Sequence, residues 1–262
     1  MDSSSLKRII FRLISNVFTN WIIIRVGKEE WLTSRIGYWQ NFRAQEGQTD
    51  QEIAGFSHDK EVQQTIDETH KELIKIVKAR SPEGANVLDI GCGTGLYLKD
   101  FINIKGDFRL TGIDVNQDML DRAKKNCPDA TLLKESIMEC SLEKSSIDIV
   151  YSIGAIQYFG RKNLPKIIEK LSGVMSENGI LFISYPHAVS RRDTLYPDIN
   201  YIQYSPERLN KLLSPHFAVL DHFHTTRKDF IGKYDHSPFN DINSVYDKSY
   251  VNSSIVIAQK SE

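Results

Sequence analysis

The run Val87-Leu88-Asp89-Ile90-Gly91-Cys92-Gly93-Thr94-Gly95 is a short apolar segment that breaks into alternating glycines. Glycines so placed suit a strand-to-helix turn whose backbone needs dihedrals closed to other residues and must lie bare against a ligand. The pattern is G-x-G-x-G, which departs from the dinucleotide fingerprint G-x-G-x-x-G. Asp114 closes the next apolar run, Leu110-Thr111-Gly112-Ile113-Asp114, 19 residues after Gly95. A carboxylate there can accept hydrogen bonds from both hydroxyls of a ribose. Asp89 adds a second acid two residues ahead of the turn. A tight turn without a ligand would also use glycine, and Asp114 is what favours a bound, ribose-bearing cofactor.

These residues need a parallel sheet to hold them. From Asn86 onward, short β-type runs alternate with helical segments, the pattern of a doubly wound α/β sheet with helices on both faces. The pattern predicts strands near 86–90, 109–114, 131–134, 147–153, 178–184, 217–223 and 251–258. Helices are predicted near 94–103, 117–125, 163–175 and 205–213, the last with Ser205 as N-cap and Pro206 at its first position. The connections 185–204 and 224–250 exceed what a compact unit needs, and long ordered insertions at strand ends usually serve function. Ahead of the sheet, Glu61 to Val77 has a helical period, Trp31 to Phe42 reads as a short aromatic helix, and Leu6 to Ile22 forms one wide apolar helical face. The expected organisation is an N-terminal helical region over 1–83 and a cofactor-binding domain over 84–262.

The first motif and its acid resemble those of the class I S-adenosylmethionine-dependent methyltransferases, whose glycine segment reads hydrophobic-L-D-hydrophobic-G-C-G-T-G and whose second motif ends in an acid. The likeness covers roughly residues 84–184. It implies a mostly parallel seven-stranded sheet with an antiparallel last strand, and S-adenosyl-L-methionine as cofactor. Carried onto this chain, it implies a cofactor site of Asp89, Gly91, Cys92, Gly93, Gly95, Asp114, Val115, Met119, Glu135, Ser136, Ile137, Ser152 and Ile153. Asp89 would hold the methionine end, and Glu135 to Ile137 would flank the adenine, although the family's usual Gly-Asp pair is absent there. Tyr158 and His187 are the candidates for a general base, and Tyr38, Trp39, Gln157, Arg191 and Arg192 for the acceptor pocket. Many relatives carry a histidine near Gln157 or Tyr158, where this chain has none. Cys92 reads as a turn residue and not as a reactive thiol.

Composition narrows the acceptor. With 33 basic and 34 acidic residues in 262, the net charge of -1 gives no global reason to bind nucleic acid. No N-P-P-Y-type sequence follows the fourth strand, which argues against methylation of amide or exocyclic base nitrogens. Transfer to an oxygen or nitrogen of a small molecule, a sugar or a lipid-linked metabolite is the expected reaction. The rivals are an NAD-dependent oxidoreductase, disfavoured by the glycine spacing, and a non-catalytic cofactor-binding module.

The three cysteines, Cys92, Cys127 and Cys140, have neither C-x-x-C spacing nor a histidine cluster, so a cytoplasmic chain without a metal site is expected. Residues 6–25 are too interrupted by Arg12, Asn16, Thr19 and Asn20 for a signal peptide or a bilayer span. Two readings of that helix stay open. It either packs as a lid on the domain or on a second subunit of a homodimer, or it lies in the interface of an inner membrane face, with Lys7, Arg8 and Arg12 towards the lipid headgroups.

Overall fold

The structure, a computed structural model, describes residues 39–40, 43, 47–50, 60–102, 104, 107–187, 194–196, 201–225, 230–233 and 253–261. The expected helix over 6–25 and the residues Tyr38, Arg191 and Arg192 lie outside these. Among the described residues, no helix is long and apolar enough to cross a membrane.

Helix α1 (Lys60–Arg80) leads into strand β1 (Asn86–Ile90), followed by α2 (Leu98–Ile102), β2 (Arg109–Asp114), α3 (Gln117–Asn126), β3 (Thr131–Lys134) and β4 (Ile147–Ile153). After a single 3-10 turn (Ile156–Tyr158) come α4 (Asn163–Val174), β5 (Met175–Pro186), β6 (Thr194–Tyr196), β7 (Tyr201–Gln203), α5 (Pro206–Leu213), β8 (Phe217–Thr225), β9 (Phe230–Lys233) and β10 (Ser253–Lys260). The main sheet runs in the order β3-β2-β1-β4-β5-β10-β8-β9. Strands β1 to β5 are parallel to one another, and β10 enters antiparallel between β5 and β8. The seven expected strands are all present, with the antiparallel last strand in the expected place. Among the described residues the additions are β9, which pairs antiparallel with β8 and is drawn from the 224–250 insertion, and the separate β6–β7 hairpin within the 185–204 connection.

The central strands are apolar on both faces because helices cover both. Leu88, Ile90, Val150, Leu181 and Ile183 pack against α4 and α5 through Ile167, Ile168, Leu171, Leu209 and Leu213. On the other face Val87, Ile149, Tyr151, Ile180 and Phe182 meet Leu73 and Val77 of α1 and Leu98 and Phe101 of α2. Alternation along β1 therefore sends Asp89 to the α1/α2 face, where it is 2% exposed. The switch point lies between β1 and β4, where the strand order reverses and open α/β sheets bind ligands at the carboxyl ends of their strands.

Helix α2 starts four residues later than the pattern predicts, since Gly93 and Gly95 have φ of +53° and +75° and cannot continue a helix. Ser205 caps α5 as expected, its side chain accepting from Arg208 N with Pro206 behind it. Replacing Ser205 by Ala should lower stability by about 1 kcal/mol, read as a shift in the denaturant midpoint at constant slope.

Candidate functional site

The glycine turn is tied to its neighbour strand by backbone bonds. The amides of Gly91 and Cys92 both donate to Ile113 O, at 2.8 and 3.1 Å. Gly93 N donates to Asp114 Oδ2 at 2.9 Å, and Asn116 N donates to Asp114 Oδ1 at 2.9 Å. Both carboxylate oxygens are thus held by backbone N–H groups, with lone-pair capacity left for a ligand hydroxyl. Burial raises the pKa of Asp114, and the N–H groups of Asn116, Gly93 and Val115 pull it back down. Asp114 and the turn are therefore one unit: the acid that would read a ribose also shapes the loop.

The three glycines differ in why they are glycine. A Cβ on Gly91 would lie 2.5 Å from Ala155 Cβ, and one on Gly95 would lie 3.2 Å from the backbone and Cβ of Ala123 in α3. A Cβ on Gly93 would meet nothing within 4 Å. Two glycines let the turn pack against the protein, and the third leaves an open cradle above it. Cys92 turns inward, its Sγ filling the space over Gly112, and burial together with Asp89 and Asp114 raises its thiol pKa. An unreactive turn residue fits that environment.

Asp89 pairs in register with Gly112 on one side and Tyr151 on the other. The Tyr151 hydroxyl faces the Asp89 carboxyl, yet neither it nor Asp89 Oδ2 completes a hydrogen bond of ordinary geometry. Burial, with the Asp114 charge nearby, holds the Asp89 carboxyl well above the usual carboxylate range. Thr94 Oγ1 in the turn is likewise buried without a partner. Buried polar atoms are normally satisfied, so orphans gathered at one turn point to a ligand that satisfies them.

The remaining cofactor-side candidates line the same strand ends. Met119 is buried in the first turn of α3, and Val115 follows Asp114. Beyond β3, Ile137 is buried and Glu135 exposed, while Ser136 accepts the amides of Glu139 and Cys140 at 2.9 Å each and so shapes a tight turn. Ser152 is buried with its hydroxyl donating to Ile90 O at 3.2 Å, and Ile153 is half-buried at the exit of β4.

The acceptor-side candidates gather partly. Gln157 Nε2 donates to Gly154 O at 2.6 Å, which leaves the buried carbonyl Oε1 without a partner. Tyr158 meets Trp39 edge-on, with ring centroids 6.0 Å apart. Trp39 is brought there by Asn116, whose Nδ2 donates to Trp39 O while its Oδ1 caps α3 by accepting Met119 N at 3.0 Å. Residues 48 and 50 also meet α3: Arg122 donates to Gln48 O at 2.9 Å, and Asn126 Nδ2 donates to Asp50 Oδ2 at 2.7 Å. His187 lies just past β5, 4% exposed, with Nδ1 3.1 Å from Ser254 Oγ of β10 and its backbone bridged to Tyr204.

Asn116 was not among the residues singled out from sequence. Its signal was available: an Asn two positions past a strand-ending acid and directly before a helix is an N-cap. Tyr151 and Tyr97 carry no such local signal.

Residues 87–179 match the model of a methyltransferase domain. A dTDP-3-amino-3,4,6-trideoxy-alpha-D-glucopyranose N,N-dimethyltransferase of Streptomyces venezuelae is 32% identical over 87 residues, which is 33% of this chain and 36% of that protein. A dTDP-3-amino-3,6-dideoxy-alpha-D-glucopyranose N,N-dimethyltransferase of Streptomyces fradiae is 26% identical over 43% of this chain and 44% of its own. The chain thus spans less than half the length of these relatives. Among solved structures, the N-methyltransferase NodS of Bradyrhizobium japonicum WM9, in complex with S-adenosyl-L-homocysteine, superposes with a TM-score of 0.61 at 13% identity, over 88% of this chain and 99% of that one. A 1,6-didemethyltoxoflavin-N1-methyltransferase of Burkholderia thailandensis gives 0.58 at 14% identity, over 88% and 87%. These likenesses concern the fold. Residues 87–179 thus carry a match to a methyltransferase domain, on a seven-strand fold shared with S-adenosylmethionine-dependent methyltransferases.

Proposed function

We propose that the protein transfers a methyl group from S-adenosylmethionine to a nitrogen or oxygen of a small molecule. The observation that carries this reading is the Gly93–Asp114 unit, a bare cradle beside a carboxylate that keeps lone pairs for a ribose. The residues present fit the cofactor: Asp114 accepts from the ribose, Asp89 from an ammonium, and Ile137 and Met119 offer apolar flanks to an adenine. When bound, S-adenosylmethionine offers its sulfonium methyl to in-line attack by the acceptor atom and departs as S-adenosylhomocysteine.

The chain's own task is to orient the acceptor and exclude water. Trp39 and Tyr158 form an aromatic cover held down by Asn116. Gln157 Oε1 would accept the N–H or O–H of the acceptor and so turn its lone pair towards the methyl. An unprotonated amine needs no further base, whereas a hydroxyl needs one, and Tyr158 or His187 would fill that role. The amino-sugar substrates named for the two Streptomyces relatives make an amine-bearing sugar the first acceptor to test. The matched segment covers the cofactor half, so the acceptor is a question for the 185–204 and 224–250 insertions.

The test is calorimetric. S-adenosylmethionine and S-adenosylhomocysteine should bind and NAD should not, and Asp114→Ala should weaken both adenosyl ligands by about 1–3 kcal/mol. Binding of NAD, or an Asp114→Ala variant of unchanged affinity, would sink the assignment. Turnover of an amino sugar by the intact chain, followed as release of S-adenosylhomocysteine, separates an enzyme from a binding module.

A further inference from the structure

One half-buried side chain near the turn lies outside the site drawn so far. His70 of α1 donates its Nδ1–H to Asp100 Oδ2 of α2 at 2.8 Å, while its Nε2 is buried and has no hydrogen-bond partner. The ring lies 3.9 Å, centroid to centroid, from that of Tyr97, two residues past the last glycine of the turn. Tyr97 in turn stands within the fields of both Asp89 and Asp100. Helix α1 enters β1 through a tight turn, so it runs back along the sheet, and its residues nearer the start lie nearer the strands' carboxyl ends. Leu73 and Val77 are buried against the sheet centre, and His70, one turn earlier, reaches the level of the glycine turn. Asp89 points to this same face of the sheet.

The amino-acid end of S-adenosylmethionine is a zwitterion, and a pocket for it needs an anionic acceptor for the ammonium and a donor for the carboxylate. Asp89 Oδ2 and His70 Nε2 are that complementary pair, both buried and both unpartnered. We propose that His70, oriented by Asp100, receives the carboxylate of the cofactor's amino-acid end while Asp89 receives its ammonium; this rests on the cofactor reading above. Asp100 fixes the proton on Nδ1, so a ring that also carries one on Nε2 is an imidazolium whose free N–H is a charge-assisted donor. Tyr97 backs the ring and fixes its plane.

The experiment compares two ligands that differ only at that end. S-adenosylhomocysteine carries the zwitterion, and 5′-methylthioadenosine carries the same adenosine and sulfur without it. In calorimetric titrations, His70→Ala should weaken S-adenosylhomocysteine about ten- to hundredfold, the loss of one charge-assisted bond. Its affinity for 5′-methylthioadenosine should stay within about twofold. His70→Gln, which keeps a neutral N–H donor, should fall between wild type and His70→Ala, and it carries the test if the alanine variant unfolds. Equal loss for both ligands would make His70 a structural link between α1 and α2, and no loss for either would remove it from the site; both results overturn the proposal. A wild-type chain that binds neither ligand would overturn the cofactor reading together with this one.

Discussion

Gly93→Ala should weaken cofactor binding at least about tenfold and leave the fold nearly intact, whereas Gly91→Ala should cost the fold much of its stability. At Gly91 the backbone has φ of +75°, and a new methyl group would sit 2.5 Å from Ala155 Cβ, well inside contact distance. The left-handed conformation costs a non-glycine residue about 1–2 kcal/mol. Relieving the clash by separating the β1 and β4 exits adds about 1–3 kcal/mol. Together these take a large part of the roughly 5–15 kcal/mol that holds a domain together. Gly93 carries only the first cost, at φ of +53°, because among the described residues nothing beyond its chain neighbours lies within 4 Å of the added atom. What the methyl group does fill is the cradle in front of Gly93 N and Asp114. Thermal melts of both variants should show Gly91→Ala lowered by well over Gly93→Ala, while titration with S-adenosylhomocysteine should show Gly93→Ala weakened by at least about tenfold. A Gly93→Ala protein that keeps wild-type affinity would place the cofactor elsewhere.

The contrast between those glycines marks where sequence reading stops. That the run would be a strand, a turn and a helix was legible from its apolar stretch and its glycine spacing. The strands at 86–90, 109–114, 131–134 and 147–153 fall where the pattern places them. Strand β5 starts three residues early because Met175 pairs with Ile147 ahead of a register shift. The β6–β7 hairpin and β9 were illegible: strands of three or four residues have too few alternating positions to show a period, and they exist through pairing. The unpartnered atoms Asp89 Oδ2 and His70 Nε2 were illegible for a related reason. Asp89 is buried beside Tyr151 by the register of β1 on β4, and His70 reaches the turn through the way α1 lies on the sheet. Neither fact is local in the chain.

Burial without a partner also sets the sign of the second large effect, that of Asp89→Asn. An unfolded aspartate titrates near 3.9. In the folded chain, burial holds Asp89 well above its ordinary value, so between those two values the folded state binds more protons than the unfolded one. Stability contributed by this group is then whole below the unfolded pKa and is lost as pH rises through the folded one. Asp114 shifts in the same direction, but it is common to both proteins and drops out of a comparison between them to first order. The ligand-free Asn variant should therefore melt higher than wild type at neutral pH, and the difference should shrink as the pH approaches 4. Binding reverses the order. A cationic ammonium beside Asp89 favours the carboxylate, so wild type should release a proton on taking up S-adenosylmethionine below the folded pKa and bind more tightly as pH rises towards it. Asn offers no charge, loses about 1.5–3 kcal/mol of binding, and should show little of this pH dependence. Melting curves with and without ligand across pH 4 to 8 decide it. An Asn variant that is less stable than wild type when ligand-free would mean that Asp89 is already satisfied within the fold, and a wild-type affinity flat with pH would mean that no positive charge arrives beside it.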